Sequence, residues 1–273
     1  MKRRILTGLP LALAVVYLIV QNREWLFVLA VLATVEISLY EYFHISRQAG
    51  LGGWPWMGYA AAALLCVGQL ADLHRVAPSE STLLLLMVLV IPVAGLLVVT
   101  DLKNYSGALA STLLGVLYVG FAFSWIIPLR FADPAVGWRL TLLLFAVIWV
   151  EDIFAYAVGR LAGRIPLAKT ISPKKTVEGA VAGLAGALLV AWGFSHWFWQ
   201  TGDQKTVILI GGLVAVAGQA GDLVESALKR AANLKDSGAI LPGHGGLLDR
   251  IDSLLLAAPT LWLAWTLKDF WHR

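Results

Sequence analysis

The sequence is short of charge and of cysteine. Only 14% of its 273 residues are Asp, Glu, Lys or Arg, against roughly 25% in an average soluble domain. A chain so poor in charge cannot cover a large apolar surface with water-facing groups. With 59% hydrophobic residues and a mean hydropathy of +0.77, a soluble globular protein and a disordered chain are both excluded. The single cysteine, Cys66, excludes an internal disulfide framework. Segments of strict apolar–polar alternation are also missing, so a transmembrane β-barrel is excluded. What is there is a succession of long apolar runs, and these must satisfy their backbone polar groups as helices.

Crossing roughly 30 Å of hydrocarbon takes about 20 apolar residues. Runs of that length are expected at 5–21, 25–43, 54–71, 82–100, 108–127, 138–158, 177–199, 206–224 and 251–267. The fold class is therefore all-α, a polytopic membrane protein of about nine spans. Lys2-Arg3-Arg4 precedes the first run, and no small-x-small cleavage site follows it, so it is expected to be a retained anchor. Nine spans put 14 Lys and Arg on the side of the N-terminus and seven on the other. By the positive-inside rule the N-terminus and the two long polar loops face the cytoplasm. Trp25, Trp54, Trp56, Trp197, Trp199, Trp262 and Trp271 fall near span ends, as interfacial anchors do, and each is read as anchor or packing.

The scarce charge is unevenly placed: 17 of the 38 charged residues lie in 151–178 and 222–252. Residues 1–130 are read as N-terminal helices without a recognised motif, and 131–273 as the part that carries a cytoplasm-facing site. Asp222 and Glu225 share a helix face at the end of the eighth span, and Asp249 and Asp252 repeat that spacing at the start of the ninth. Carboxylates of this kind are hard ligands suited to Mg²⁺, which keeps waters and also binds substrate phosphates. Placed near hydrocarbon they are costly, which favours a function for Asp222 and Glu225. The bland alternative for Asp249 and Asp252 is a helix start favoured by the dipole. Lys229, Arg230, Lys235 and Arg250 interleave with these acids, either as phosphate contacts or as a solvated loop. Pro242-Gly243-His244-Gly245-Gly246 is a turn whose backbone allows close approach of a ligand and leads into a helix start. His244 is open to three readings: proton donor, phosphate contact or structural hydrogen bonder.

Upstream, Ser172-Pro173-Lys174-Lys175-Thr176 precedes the seventh span. Hydroxyls, two lysines and a helix N-terminus make a phosphate cradle, the alternative being a basic loop against anionic lipid heads. Asp152 and Tyr156 share a helix face toward that loop, whereas Glu151 is expected to point elsewhere. Lys169-Thr170 has the tail of a P-loop but Ala168 where the glycine belongs. Gly179 and Gly183, and Gly211, Gly212, Gly218 and Gly221, are read as helix-packing faces. Glu36 and Glu41 lie in the second span with no partner visible in the sequence. An ion path or a bundle-facing carboxylate accounts for each.

Ser226-Ala-Leu-Lys229-Arg230, then Lys235-Asp236-Ser-Gly238, then Pro242-Gly-His244-Gly-Gly246-Leu-Leu-Asp249-Arg250-Ile-Asp252 resembles the signature of the bacterial phosphatidate cytidylyltransferases (CDP-diacylglycerol synthases). Asp222 with Glu225, and Asp152, Tyr156, Arg160, Ser172–Thr176 and Glu178-Gly179, also match that family; Ile153 departs from it, where a small or hydroxyl residue is expected. The matching stretch is about the C-terminal 100 residues.

The resemblance implies that CTP and phosphatidic acid give CDP-diacylglycerol and pyrophosphate with Mg²⁺, alone or with a second cation. It implies a homodimer in the bacterial cytoplasmic membrane, membrane lipid as surroundings and substrate, and no nucleic-acid partner. Asp222 and Asp249 become the principal Mg²⁺ ligands, with Glu225 and Asp252 beside them. Lys229, Arg230, Lys235 and Arg250 bind phosphates, Asp236 and His244 belong to the catalytic signature, and Asp152, Tyr156, Ser172, Lys174, Lys175 and Thr176 form the substrate-binding side. A transporter would instead place acids at the bilayer midplane in two matching halves of broken helices. A CDP-alcohol phosphotransferase would need a long DG-x-x-AR pattern that is missing, and a scaffold would not need a Gly-rich turn bracketed by acids.

Overall fold

The computed structural model describes residues 2–76, 79–198, 204–240 and 245–268. Pro242, Gly243, His244, Trp199 and Trp271 lie outside the described residues. Among the described residues nine helical runs follow one another: α1 (Lys2–Val20), α2 (Glu24–Gln48), α3 (Pro55–Leu73), α4 (Glu80–Val98), α5 (Leu102–Phe131), α6 (Gly137–Ala162), α7 (Val177–Trp197), α8 (Gln204–Ala231) and α9 (Leu248–Leu267). Among the described residues, α2 to α8 are each long and apolar enough to span a bilayer. α1 and α9 coincide with the first and ninth expected spans, α1 being apolar over Pro10–Val20.

One feature is not helical. Between α6 and α7 the chain forms a hairpin of β1 (Pro166–Ala168) and β2 (Ser172–Thr176), antiparallel, with Pro166 opposite Thr176 and Ala168 opposite Ser172. The expected loop is thus a hairpin. Pro173 suits a strand of only two, where half the backbone groups face away from the partner.

The chain divides into two compact units: 1–132 with 228–251, and 133–227 with 252–273. The N-terminal helices therefore share their unit with the stretch 228–251, which sequence reading groups with the C-terminal half.

In the first unit α2 is the central helix, and its Val35, Leu39 and Phe43 are almost wholly buried. Polar ties cross the apolar packing. The Tyr42 hydroxyl donates to the Ser111 carbonyl at 2.9 Å, and the Trp54 N–H donates to Thr112 Oγ1 at 2.9 Å. α5 runs through a π-helical turn at Val116–Phe121, and Gly120 there lets Ala62 of α3 approach closely. Arg130, buried near the end of α5, donates to the carbonyls of Ile19 and Gln21 at 2.6 and 3.1 Å, satisfying acceptors left over at the end of α1. Trp54 takes the packing role of the two: it is buried among Met57, Leu65 and Ile91, and its ring fills the space above Gly95. Trp25, Trp56 and Trp197 are exposed at helix ends, as anchors should be.

In the second unit the small residues sit where helices touch. A Cβ added at Gly179 would come within 2.7 Å of the Ala155 carbonyl, and one at Gly183 within 2.7 Å of Glu151 Oε1. At Gly211 it would meet Ala191, at Gly218 Ile148, and at Gly221 the Asp252 carbonyl. Glycine permits these approaches, and dispersion between close backbones is what holds helices together where lipid is as apolar as side chain.

Candidate active site

The second unit contains a cavity of about 620 Å³, lined among others by Glu151, Asp152, Tyr156, Lys175, Thr176 and Asp222. α6 delivers Asp152 and Tyr156 to it on one face, four residues apart. The Tyr156 hydroxyl accepts from Arg160 Nη1 at 2.9 Å, so a guanidinium stands at the cavity wall. β2 delivers Lys174, Lys175 and Thr176. Thr176 also caps α7, its Oγ1 accepting from the Gly179 N–H at 3.1 Å. The hairpin thereby fixes two lysines beside a helix N-terminus, where exposed N–H groups and the dipole favour anions.

Lys175 forms an ion pair with Asp222 of α8. Ser226, one turn on, donates to Asp222 Oδ1 at 3.2 Å. Asp222, Glu225 and Asp152 lie close enough for their charges to act on Asp252 of α9. Asp152 and Asp222 thus line one cavity together with Arg160, Lys174 and Lys175.

Two residues here were not picked out from the sequence. Glu151 is 3% exposed and lines the cavity with its neighbour, rather than pointing away. The cavity is wide enough to take side chains about 100° apart on α6. Gln219 joins them, donating to the Ala180 carbonyl at 3.0 Å. Of the expected cradle, Ser172 is not on the cavity; it pairs with Ala168 in the hairpin.

The first unit holds the other cluster, on the stretch joining α8 to α9. Lys229 is 8% exposed, and its Nζ lies 2.6 Å from Asp249 Oδ1. The same carboxylate accepts from the Ser237 N–H at 3.0 Å and the Gly246 N–H at 2.8 Å, both to Oδ2. Burial alone would raise the Asp249 pKa; the Lys229 bond and the two N–H donors outweigh it and hold the carboxyl below its ordinary value of 3.8. Gly245, at φ +79, makes the turn that brings Gly246 onto Asp249. Arg230 Nη1 donates to the Leu234 carbonyl at 2.9 Å and closes the turn after α8. Lys235, Asp236 and Arg250 are exposed on the same stretch.

Both carboxylates expected to take Mg²⁺ thus face a lysine ammonium, and carboxylate oxygens are the hard donors this ion requires. Among the described residues no three His, Cys, Asp or Glu side chains converge as a ready-made metal cage. Water and phosphate oxygens would fill the remaining positions, as is usual for Mg²⁺.

The profile of the cytidylyltransferase family matches residues 2–267. The phosphatidate cytidylyltransferase of Bacillus subtilis is 34% identical over 271 residues, covering 96% of each chain. That of Synechocystis is 32% identical over 270 residues and 87% of each chain. That of Brucella abortus is 37% identical over 241 residues, 82% of this chain and 78% of its own. A profile running almost end to end, over a helical membrane fold with an acid-and-lysine cavity, is sufficient: the chain belongs to the cytidylyltransferase family.

Proposed function

We propose that this protein is a CTP:phosphatidate cytidylyltransferase of the bacterial cytoplasmic membrane, with its site on the cytoplasmic side. The observation that carries the reading is the cavity where Lys174, Lys175 and Thr176 face Asp152 and Asp222 beside the start of α7. Phosphate chemistry of this type needs positioning and neutralisation of charge more than covalent help. A phosphate oxygen of phosphatidic acid attacks the α-phosphorus of CTP. One P–O bond forms, the bond to the β-phosphate bridging oxygen breaks, and pyrophosphate leaves with that electron pair. The nucleophile is already an anion, so no strong base is required.

Mg²⁺, when bound, neutralises phosphate oxygens and steadies the leaving group. In the second unit Asp222 would hold it, with Glu225 and Asp252 in support, and in the first unit Asp249 is the candidate ligand; each of the two already engages an ammonium. A cation on Asp222 would release Lys175 to a phosphate, and one on Asp249 would release Lys229 in the same way. Arg230, Lys235 and Arg250 supply further positive charge on the exposed stretch. The diacyl tails lie between helices, open to lipid, and the homodimer follows from the resemblance.

The cradle has its own test. Lys174→Ala together with Lys175→Ala should lower kcat/KM for CTP about a hundredfold or more, since each charged hydrogen bond contributes about 1.5–3 kcal/mol and two are lost. Lys174→Ala alone, which leaves the Asp222 pair intact, should give a smaller loss. Unchanged CTP kinetics in the double variant would remove the lysines from the site.

A further inference from the structure

Glu41 lies in α2, in the part of the chain without a motif, and it is 1% exposed. A carboxylate so placed in an apolar helix is costly unless donors surround it. Here they come from the far end of the sequence. Ser237 Oγ donates to Oε2 at 2.9 Å, the Leu247 N–H to Oε1 at 3.1 Å, and the Leu248 N–H to Oε2 at 2.8 Å. All four residues belong to the same compact unit. Leu248 opens α9, so Glu41 supplies from another helix the acceptor that an N-cap side chain normally provides.

The surrounding glycines are shaped to this carboxylate. A Cβ on Gly238 would stand 2.5 Å from Glu41 Oε1, and one on Gly246 would stand 2.4 Å from Oε2. Neither glycine has a positive φ. Their reason is space, because any larger residue would push Glu41 off the loop.

Ser237 is held twice: its hydroxyl by Glu41 and its N–H by Asp249. Asp249 in turn holds Lys229. We infer that Glu41 is a positioning residue for the transfer reaction, its carboxylate clasping Ser237 and the start of α9 so that Asp249 and Lys229 keep their places. The inference rests on the cytidylyl-transfer reading and assigns that reading a residue from the N-terminal helices. Glu41 touches no substrate; it acts through Ser237 and the Leu247 and Leu248 amides.

The test uses the full-length protein in detergent–phosphatidate micelles, with turnover expressed per folded molecule and the thermal midpoint measured alongside. Glu41→Gln keeps the shape but turns an NH₂ toward a donor. Supporting groups of this type typically cost about ten- to a hundredfold when lost, and the loss should fall on kcat, with KM for CTP and for phosphatidate close to the parent. Ser237→Ala on top of Glu41→Gln should cost less than on the parent, because both changes break the same clasp. Tyr42→Phe, on the same helix but bonded to Ser111, should lower the midpoint and leave kcat alone. If kcat per folded Glu41→Gln molecule equals the parent's, with any loss confined to the midpoint, the residue is merely structural and the inference is overturned. If Glu41→Gln yields no folded protein, Ser237→Ala answers the same question with the same two outcomes. A parent protein that makes no CDP-diacylglycerol would overturn the inference together with the reading beneath it, and that result appears before any variant is made.

Discussion

Asp222→Asn is expected to reduce turnover on the order of a hundredfold or more, the scale of losing one electrostatic contact to developing charge. The carboxylate does two things in the cavity. It receives the Lys175 ammonium, and it presents hard oxygens to a cation, with Ser226 fixing its orientation. The amide keeps the shape and loses both. Its oxygen is a weaker ligand, so the residual activity should need more Mg²⁺ to saturate. Lys175, relieved of its partner, should still bind phosphate, so KM for CTP should change much less than kcat. A Mg²⁺ titration of purified enzyme separates these effects, and parent-like turnover in Asp222→Asn would remove Asp222 from the metal site.

Lys229→Met should act on stability and activity together. The pair it breaks is buried on both sides, with side chains 10% and 9% exposed. Removing one partner of such a pair costs about 3–5 kcal/mol, because the other charge stays behind without compensation. Asp249 would keep the Ser237 and Gly246 amides, which places the expected cost at about the lower end of that range. The pH dependence gives a sharper signature. In the parent the folded Asp249 pKa lies below its ordinary 3.8, so its contribution to stability is present above that pH and is lost as pH falls through the folded value. Without Lys229, burial is opposed only by the Gly246 and Ser237 amides, so the folded carboxyl titrates higher than in the parent. Its stabilising linkage shrinks: the variant should be closer to the parent in thermal midpoint at acid pH and further from it at neutral pH. A constant difference across that range would contradict the pair's assigned role.

Much of the fold is legible in the amino-acid sequence because hydrocarbon is an undemanding solvent. Twenty apolar residues between polar joints can only be a helix there, and the apolar runs at 25–43 and 177–199 reappear as α2 and α7. The hairpin at 166–176 is not legible. Ser-Pro-Lys-Lys-Thr has no alternation and almost no β-branched residues, and its pairing depends on the docked start of α7. Asp222, Lys175 and Thr176 are legible as site residues because charge crowded beside apolar helices needs a reason. Trp54 stays open in the sequence between anchor and packing, because position near a span end cannot distinguish an interfacial ring from one that fills the space above Gly95 of another helix.

Glu41 marks the boundary of what spacing reveals. Its partners lie 196, 206 and 207 positions away. No periodicity along α2 encodes a contact at that separation; only the cost of a carboxylate in an apolar run signals that a partner must exist. The glycines of the signature tell a similar story. Gly246 reads as part of a turn open to a ligand, yet what it and Gly238 provide is room for the Glu41 carboxylate. Gly245, at φ +79, does use the left-handed conformation.

Cytidylyl transfer to a lipid phosphate is decided by reconstituted turnover. Purified protein in phosphatidate-containing liposomes, given CTP labelled in the cytosine ring and Mg²⁺, should release one pyrophosphate for each labelled lipid formed. The product should be CDP-diacylglycerol, and the yield should collapse on chelation of Mg²⁺ or on Asp222→Asn. Pyrophosphate release without a labelled lipid, or no consumption of CTP when phosphatidate is present, would contradict it.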